Sequence, residues 1–250
     1  MKTPFQFCDM IPLMDTLLIA VIVFFAIFTQ SLAGFGLALV SMPLLARMLD
    51  PVGAASLVSL IAITAEALLI LRLRRTLQPR PLARLIIGSL LGIPMGVYLL
   101  ANIDSRVILT ALGVVMIGYS LYGLLNFTLP EIRHPRWGYG FGFIAGILSG
   151  AYNTAGPPLV IYGTARRWSR DEFKANLQLL FIINSVTVII SHALAGHYTA
   201  NILAHYLVAL PMIALGVGAG VFADKWINPQ MFRKIVLVLL IVLGVRLILP

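Results

Sequence analysis

Gly150-Ala-Tyr-Asn-Thr-Ala-Gly-Pro-Pro-Leu-Val-Ile-Tyr-Gly-Thr164 places asparagine, glycine and proline inside an otherwise apolar run. A weaker echo lies at Gln30 to Leu45, with Gly34, Gly36 and Pro43. Apolar sequence flanks both stretches, so neither reads as a water-exposed loop. Each opens one half of the chain, and the pair is expected to form one substrate site within a membrane.

The chain of 250 residues is 60% hydrophobic and 11% charged, whereas soluble domains carry roughly a quarter charged residues. This composition indicates an integral membrane protein. Leu17 to Phe28, Leu85 to Leu100, Val107 to Leu125, Leu203 to Phe222 and Ile235 to Leu249 are near the ~20 apolar residues that cross ~30 Å of hydrocarbon as a helix. No alternating pattern suggests a barrel, so the spans are read as helical. The net charge of +9 would point to nucleic acid in a soluble protein. Here the basic residues sit in short connections, where orientation explains them, so the lipid bilayer and not nucleic acid is the expected partner. Lys2 precedes an apolar run, but no small-residue cleavage site followed by a polar chain appears, and no cleaved signal peptide is expected. Cys8 is the sole cysteine, which excludes an intrachain disulfide.

The order of events repeats. A helix over 15–30 breaks at Gly34-Phe-Gly36, resumes from Leu37 and ends around Arg47 to Pro51. Spans are expected at 52–71, 82–101 and 106–125. After a linker, a Gly-rich helix over 138–150 reaches the second break, followed by spans at 175–194, 202–222 and 231–249. Gly92 and Gly96 recur as Gly216 and Gly220, and Thr64 aligns with Asn184 at nearly the same offset. Small residues spaced this way let a neighbouring helix approach closely. The expected architecture is therefore an all-α membrane protein forming one domain over 1–250, with repeat 1 at 13–125, a linker at 126–137 and repeat 2 at 138–250. Each repeat is a broken, re-entrant helix hairpin plus three transmembrane helices.

Charge orients the halves. If each broken segment is a hairpin returning to its own side, the connections at 72–84, 126–137, 166–174 and 224–234 share one face. The opposite face then holds only Lys2, Arg47, Arg106 and Arg246 of the 18 Lys and Arg. Positive residues favour the cytoplasm. An odd number of crossings per half inverts the second repeat relative to the first.

A helix break in hydrocarbon leaves N–H and C=O groups unpaired at a cost of several kcal/mol each unless protein, water or ligand satisfies them. Asn153 or Thr154 is expected to cap a new helix, and Pro157 and Pro158 suit its first turn. The N–H groups of that turn would face the break and favour an anion. At the first break, Gly34 and Gly36 allow close approach, Gln30, Ser31 and Ser41 supply dipoles, and a helix again restarts. The expected substrate-binding set is Gln30, Ser31, Gly34, Phe35, Gly36, Ser41, Asn153, Thr154, Gly156, Pro157 and Asn184. A packed glycine kink is the competing account of the breaks, and interhelical hydrogen bonding that of Thr64, Gln178 and Asn184.

Glu66 is the one acid set inside a span. It is either a proton carrier for coupled transport or the partner of Arg72 or Arg74. His192, His197 and His205 lack metal-ligand spacing and read as interfacial, so neither metal nor cofactor is expected. Gly146-Ile-Leu-Ser149-Gly150 is not a nucleophile elbow, and no Walker loop is present. An intramembrane enzyme using Glu66 or the histidines, and a non-transporting scaffold, are the rival readings.

Gly34-Phe-Gly36-Leu-Ala-Leu-Val-Ser-Met-Pro43-Leu-Leu45, with Gly142-Phe-Ile-Ala-Gly146-Ile-Leu-Ser-Gly150 and Ala155-Gly156-Pro157-Pro158, resembles the TauE/SafE sulfite exporter family, also called the 4-toluene sulfonate uptake permease family. Leu37 and Ala38 stand where further glycines are usual. The resemblance covers essentially the whole chain. It implies a multi-pass protein of the inner, cytoplasmic membrane that is a secondary transporter and not an enzyme. The implied substrates are small sulfur-containing or organic anions such as sulfite, sulfoacetate or other sulfonates or carboxylates, moved by alternating access. Direction, coupling ion and any homo-oligomer stay open.

Overall fold

The computed structural model describes residues 13–73, 82–125 and 130–249. The terminal segment with Cys8, most of the basic connection before Leu82 and residues 126–129 of the linker lie outside them. Nine helices and no strand occur among the described residues: α1 (Leu13–Ala33), α2 (Leu37–Leu73), α3 (Ala83–Asn102), α4 (Ser105–Leu124), α5 (Trp137–Tyr152), α6 (Gly156–Ala165), α7 (Arg170–Leu194), α8 (Ala200–Ala223) and α9 (Pro229–Ile248).

Among the described residues, α1, α2, α3, α4, α7 and α8 are long and apolar enough to cross a membrane. Their exposed side chains, such as Leu17, Leu91 and Leu207, are apolar, as a lipid-facing surface requires. In α9, Arg233 and Lys234 near the start and Arg246 near the end confine the apolar run to its middle. With 16 and 10 residues, α5 and α6 are about 24 and 15 Å long at 1.5 Å per residue, short of the hydrocarbon thickness.

The expected boundary near Pro51 is a kink inside α2. Asp50 adopts φ 67° and ψ 163° there, and its Oδ1 accepts the Gly53 N–H at 2.9 Å. Asp50 thus caps the helix that restarts with Pro51, whose missing N–H is no loss in a first turn.

Contacts separate two ends of the bundle. At one end, Arg47 donates to the Arg246 carbonyl, Tyr152 donates to the Ile108 carbonyl at 2.8 Å, and Gly53 lies against Ile202. At the other, the Arg166 guanidinium donates to the Ile132 and Arg133 carbonyls. Arg47, Arg106 and Arg246 belong to the first end, whereas Arg84, Arg133, Arg136, Arg166, Lys225, Arg233 and Lys234 belong to the second.

The tightest seam joins α3 to α5. A Cβ on Gly88, Gly92 or Gly96 would strike the carbonyl oxygens of Tyr139, Phe143 and Ile147. A Cβ on Gly142, Gly146 or Gly150 would strike those of Leu85, Ser89 and Ile93. The two helices therefore meet backbone to backbone over three turns, at the close approach that small residues permit. Gly216 and Gly220 of α8 receive Ile27 and Ser31 of α1, and Gly113 of α4 meets Gly244 of α9. The main pairings are thus α3 with α5, α1 with α8 and α4 with α9, while α2 and α7 pack on each other at the centre.

Candidate functional site

The ends of α1 and α5 define the site. Gly34 (φ 80°) and Gly36 (φ 117°) turn the chain after α1, and the Gly34 N–H closes on the Gln30 carbonyl at 2.8 Å. At the end of α5, Asn153 takes the left-handed conformation (φ 54°, ψ 27°) that asparagine tolerates better than most residues. Its N–H donates to the Ser149 carbonyl at 2.7 Å, and the next N–H, of Thr154, to the Leu148 carbonyl at 3.1 Å. Asn153 therefore closes α5 in an αL-type cap, its N–H bonding the carbonyl four residues back.

That arrangement corrects the expected cap. Asn153 terminates α5 instead of starting α6, and Ala155 occupies the α6 N-cap without a side-chain bond. Pro157 and Pro158 stand in the first turn as expected, but they delete two of its N–H donors. Ala155 and Gly156 retain N–H groups with no partner among the described residues. The start of α2 is richer. Leu37, Ala38 and Leu39 keep their N–H groups, and the first intrahelical bond across this break runs from Val40 to Gly36 at 3.0 Å.

Both breaks line one small cavity of about 30 Å³, formed by Gln30, Phe35 to Leu39, Ala62, Glu66, Asn153 to Gly156 and Phe181. That volume holds about one or two waters. Phe35 packs against Gly156, with its ring edge-on to Tyr119 at 5.8 Å between centroids. Contact between the two breaks is thus direct.

Of the expected set, Gln30, Phe35, Gly36, Asn153, Thr154 and Gly156 line this cavity, and Glu66 joins them. Gly34 and Pro157 are one residue removed in sequence and shape the turns. Ser31 lies in the α1–α8 seam against Gly220, with its hydroxyl unpartnered. Asn184 lies between α7 and α3, its Oδ1 accepting from the Ser89 hydroxyl at 2.9 Å. Thr64 accepts from the Tyr206 hydroxyl at 2.7 Å, as its own proton goes to the Leu60 carbonyl. Both are interhelical bonds, the competing account weighed for them.

Hydroxyl use narrows the donors further. Ser41 donates to the Leu37 carbonyl and Thr154 to the Tyr152 carbonyl, so each single O–H is committed and neither can donate to an anion. One N–H of the Asn153 amide is bound to the Ala55 carbonyl at 2.8 Å, leaving the other. The Gln30 amide makes no bond to another described residue. Backbone N–H groups at two helix starts, the Gln30 amide and half of the Asn153 amide are therefore the available donors.

Glu66 is 5% exposed, its Oε2 has no hydrogen-bond partner among the described residues, and the Gln178 amide donates to its backbone carbonyl at 3.3 Å. The Arg72 side chain and Arg74, the expected ionic partners, lie outside the described residues. His192 and His205 are buried between helices, and His197 lies in the turn that joins α7 to α8. Sequence reasoning missed Phe181 and Ala62, which carry no chemical signal and matter only because α2 and α7 present them to the cavity.

A family model described as sulfite exporter TauE/SafE matches residues 19–247. The chain is 27% identical over 228 residues to the probable sulfite/organosulfonate exporter TauE of Cupriavidus necator, covering 88% of this chain and 89% of that protein. It is 25% identical over 175 residues to the probable inner membrane transporter protein TsaS of Comamonas testosteroni, covering 69% and 73% of the two chains. No solved structure matches.

Proposed function

Since the chain belongs to the sulfite exporter TauE/SafE family, a family of membrane transporters and not of enzymes, we propose that it is a secondary transporter of small sulfur-containing or organic anions across the cytoplasmic membrane. Sulfite and organosulfonates are the first candidates, by analogy with the relative from Cupriavidus necator. The observation that carries this reading is the meeting of two helix starts and one buried carboxyl at a single cavity.

The anion is held by the N–H groups of Leu37 to Leu39 from one side and of Ala155 and Gly156 from the other, with Gln30 and Asn153 fixing its orientation. Helix starts concentrate about half a positive charge each, so an anion is accommodated without a buried Lys or Arg. A sulfur oxyanion needs more room than one or two waters, so the hairpins α1–α2 and α5–α6 part to admit it. Alternating access follows if they part toward one end at a time. Two inverted repeats would supply that motion, and the pairings support the repeat: α3 on α5 matches α8 on α1, and α4 with α9 and α2 with α7 are the pairs that a dyad between the halves would relate to themselves.

Glu66 shares the cavity with the anion. Two negative charges within a few ångströms in a medium of low dielectric repel strongly, so anion and proton bind together, with Glu66 as the proton carrier. Flux of labelled sulfite or an organosulfonate into proteoliposomes tests the reading. Saturable, protein-dependent flux is expected, and Glu66→Gln should remove its pH dependence. A folded protein that moves none of these anions would overturn the assignment.

A further inference from the structure

A second polar cluster lies between the cavity and the Asp50 end of the bundle. On α2, Ser56 and Ser59 occupy the same side as Glu66, and on α7 Gln178, Ser185 and His192 recur at every second turn. The helices run antiparallel, since Gln178 meets Glu66 while His192 meets Ser56. A Schellman-type turn at Gly196 (φ 72°), with the His197 N–H on the His192 carbonyl at 3.0 Å, folds His197 back over His192. The two Nδ1 atoms stand 2.8 Å apart, and the His192 Nδ1 is 3.3 Å from the Ser56 hydroxyl.

The protons can be placed. Ser56 gives its hydroxyl proton to the Val52 carbonyl, and Ser59 gives its own to the Ser56 carbonyl, so Tyr198 donates to Ser59 at 2.8 Å. With the Ser56 proton spent, the His192 Nδ1–H is the donor that faces both the Ser56 oxygen and the His197 Nδ1, which accepts. His192 is fully buried and its Nε2 has no partner. His197, in contrast, opens on a cavity of about 540 Å³ with Asp50, Gly53, Thr199 and Asn201. Asp50, Tyr198 and the two serines are the charged and polar groups that face the pair. No metal-ligating group of three His, Cys, Asp or Glu exists among the described residues.

We propose that His197 and His192 form a proton relay joining Glu66 to the aqueous space at the Asp50 end, an inference that rests on Glu66 being the proton carrier. A proton from Glu66 arrives on His192 Nε2, the Nδ1 proton of His192 passes to His197 Nδ1, and the Nε2 proton of His197 leaves to the vestibule. One proton enters and one departs. Ser59, three residues before Ala62, lies between the pair and the cavity that Ala62 and Glu66 line, where one or two waters extend the path to Glu66. The reverse sequence carries a proton from the same side to Glu66 and restores both rings to their starting tautomers.

Proteoliposomes with uniformly oriented protein and a trapped pH dye test the relay. His197→Ala should lower sulfite-coupled proton flux by about tenfold or more, the scale of a lost proton-transfer group, while equilibrium sulfite binding stays within about twofold. Imidazole added on the Asp50 side should restore the flux, because the vestibule admits it, and imidazole added on the opposite side should not. His192→Gln should show the same loss without rescue. If His197→Ala does not fold, His197→Gln takes its place, with size-exclusion behaviour as the check. Wild-type proton flux in the histidine variants, or equal rescue from both sides, would overturn the relay. If Glu66→Gln abolishes coupling while the histidine variants keep it, the relay alone fails; if Glu66→Gln leaves coupling intact, the reading beneath it fails too.

Discussion

Asn153 carries two separable tasks, a left-handed backbone and a side-chain bond to the Ala55 carbonyl. Asn153→Gly keeps the first and loses the second, at a cost of about 1 kcal/mol. Asn153→Ala loses both, adding about 1–2 kcal/mol for a left-handed alanine. Thermal unfolding in detergent should therefore rank wild type above glycine above alanine, and an alanine variant as stable as the glycine one would contradict the backbone argument. His197 supplies a titration at the same scale. Desolvation lowers its pKa from 6.5, and the Asp50 charge works against that shift. Asp50→Asn should lower it further, read from the histidine ring protons by NMR. The fold holds His197 neutral over a range where the unfolded chain binds a proton. Its contribution is therefore full above pH 6.5 and is lost as pH falls through that value toward the lowered one. Little of this was legible beforehand. Asparagine and glycine marked where the chain turns, but whether Asn153 ends one helix or starts the next depends on a backbone torsion that residue type leaves open. The spending of the Ser41 and Thr154 hydroxyls on nearby carbonyls was equally hidden, as was the His192–His197 pair, which exists only through the Gly196 turn.

At the level of elements, the glycine spacing on α3 announced a close helix contact without naming the partner. The partner is α5, whose own glycines at 142, 146 and 150 fit between those of α3. Gly146→Ala would drive a methyl into the Ser89 carbonyl, and the helices must separate, at about 1–3 kcal/mol for overpacking. Gly140 is the internal control, since a Cβ there meets nothing within 4 Å. Gly140→Ala should be neutral or stabilising by up to about 1 kcal/mol through helix propensity. Equal unfolding temperatures for the two variants would contradict the seam. The restart at Pro51 was readable from proline and a preceding aspartate, which is a local signal. The shortness of α6 was readable only in part, because its end is set by the turn through Arg167 (φ 57°) and by the Ile132 N–H on the Ala165 carbonyl at 2.9 Å, a contact from distant sequence.

Across the whole molecule, the proposed duplication corresponds to a pairing in which each half contributes its second span to the other half's broken hairpin. That exchange explains why the breaks meet: α3 carries α5, α8 carries α1, and the central pair α2 and α7 supplies Glu66 and Phe181 between them. The sequence suggested the second break as the better defined anion site. For the proposed site the donor count favours the first, since two prolines remove donors from α6 while α2 keeps three. Selenite, a heavier analogue of sulfite, locates the anion most directly through anomalous scattering from crystals grown with it. A selenium peak is expected within hydrogen-bonding distance of the Leu37–Leu39 N–H groups, near Gly156 and Glu66. A peak at the Asp50 vestibule or beside Arg233, with none at the breaks, would contradict it.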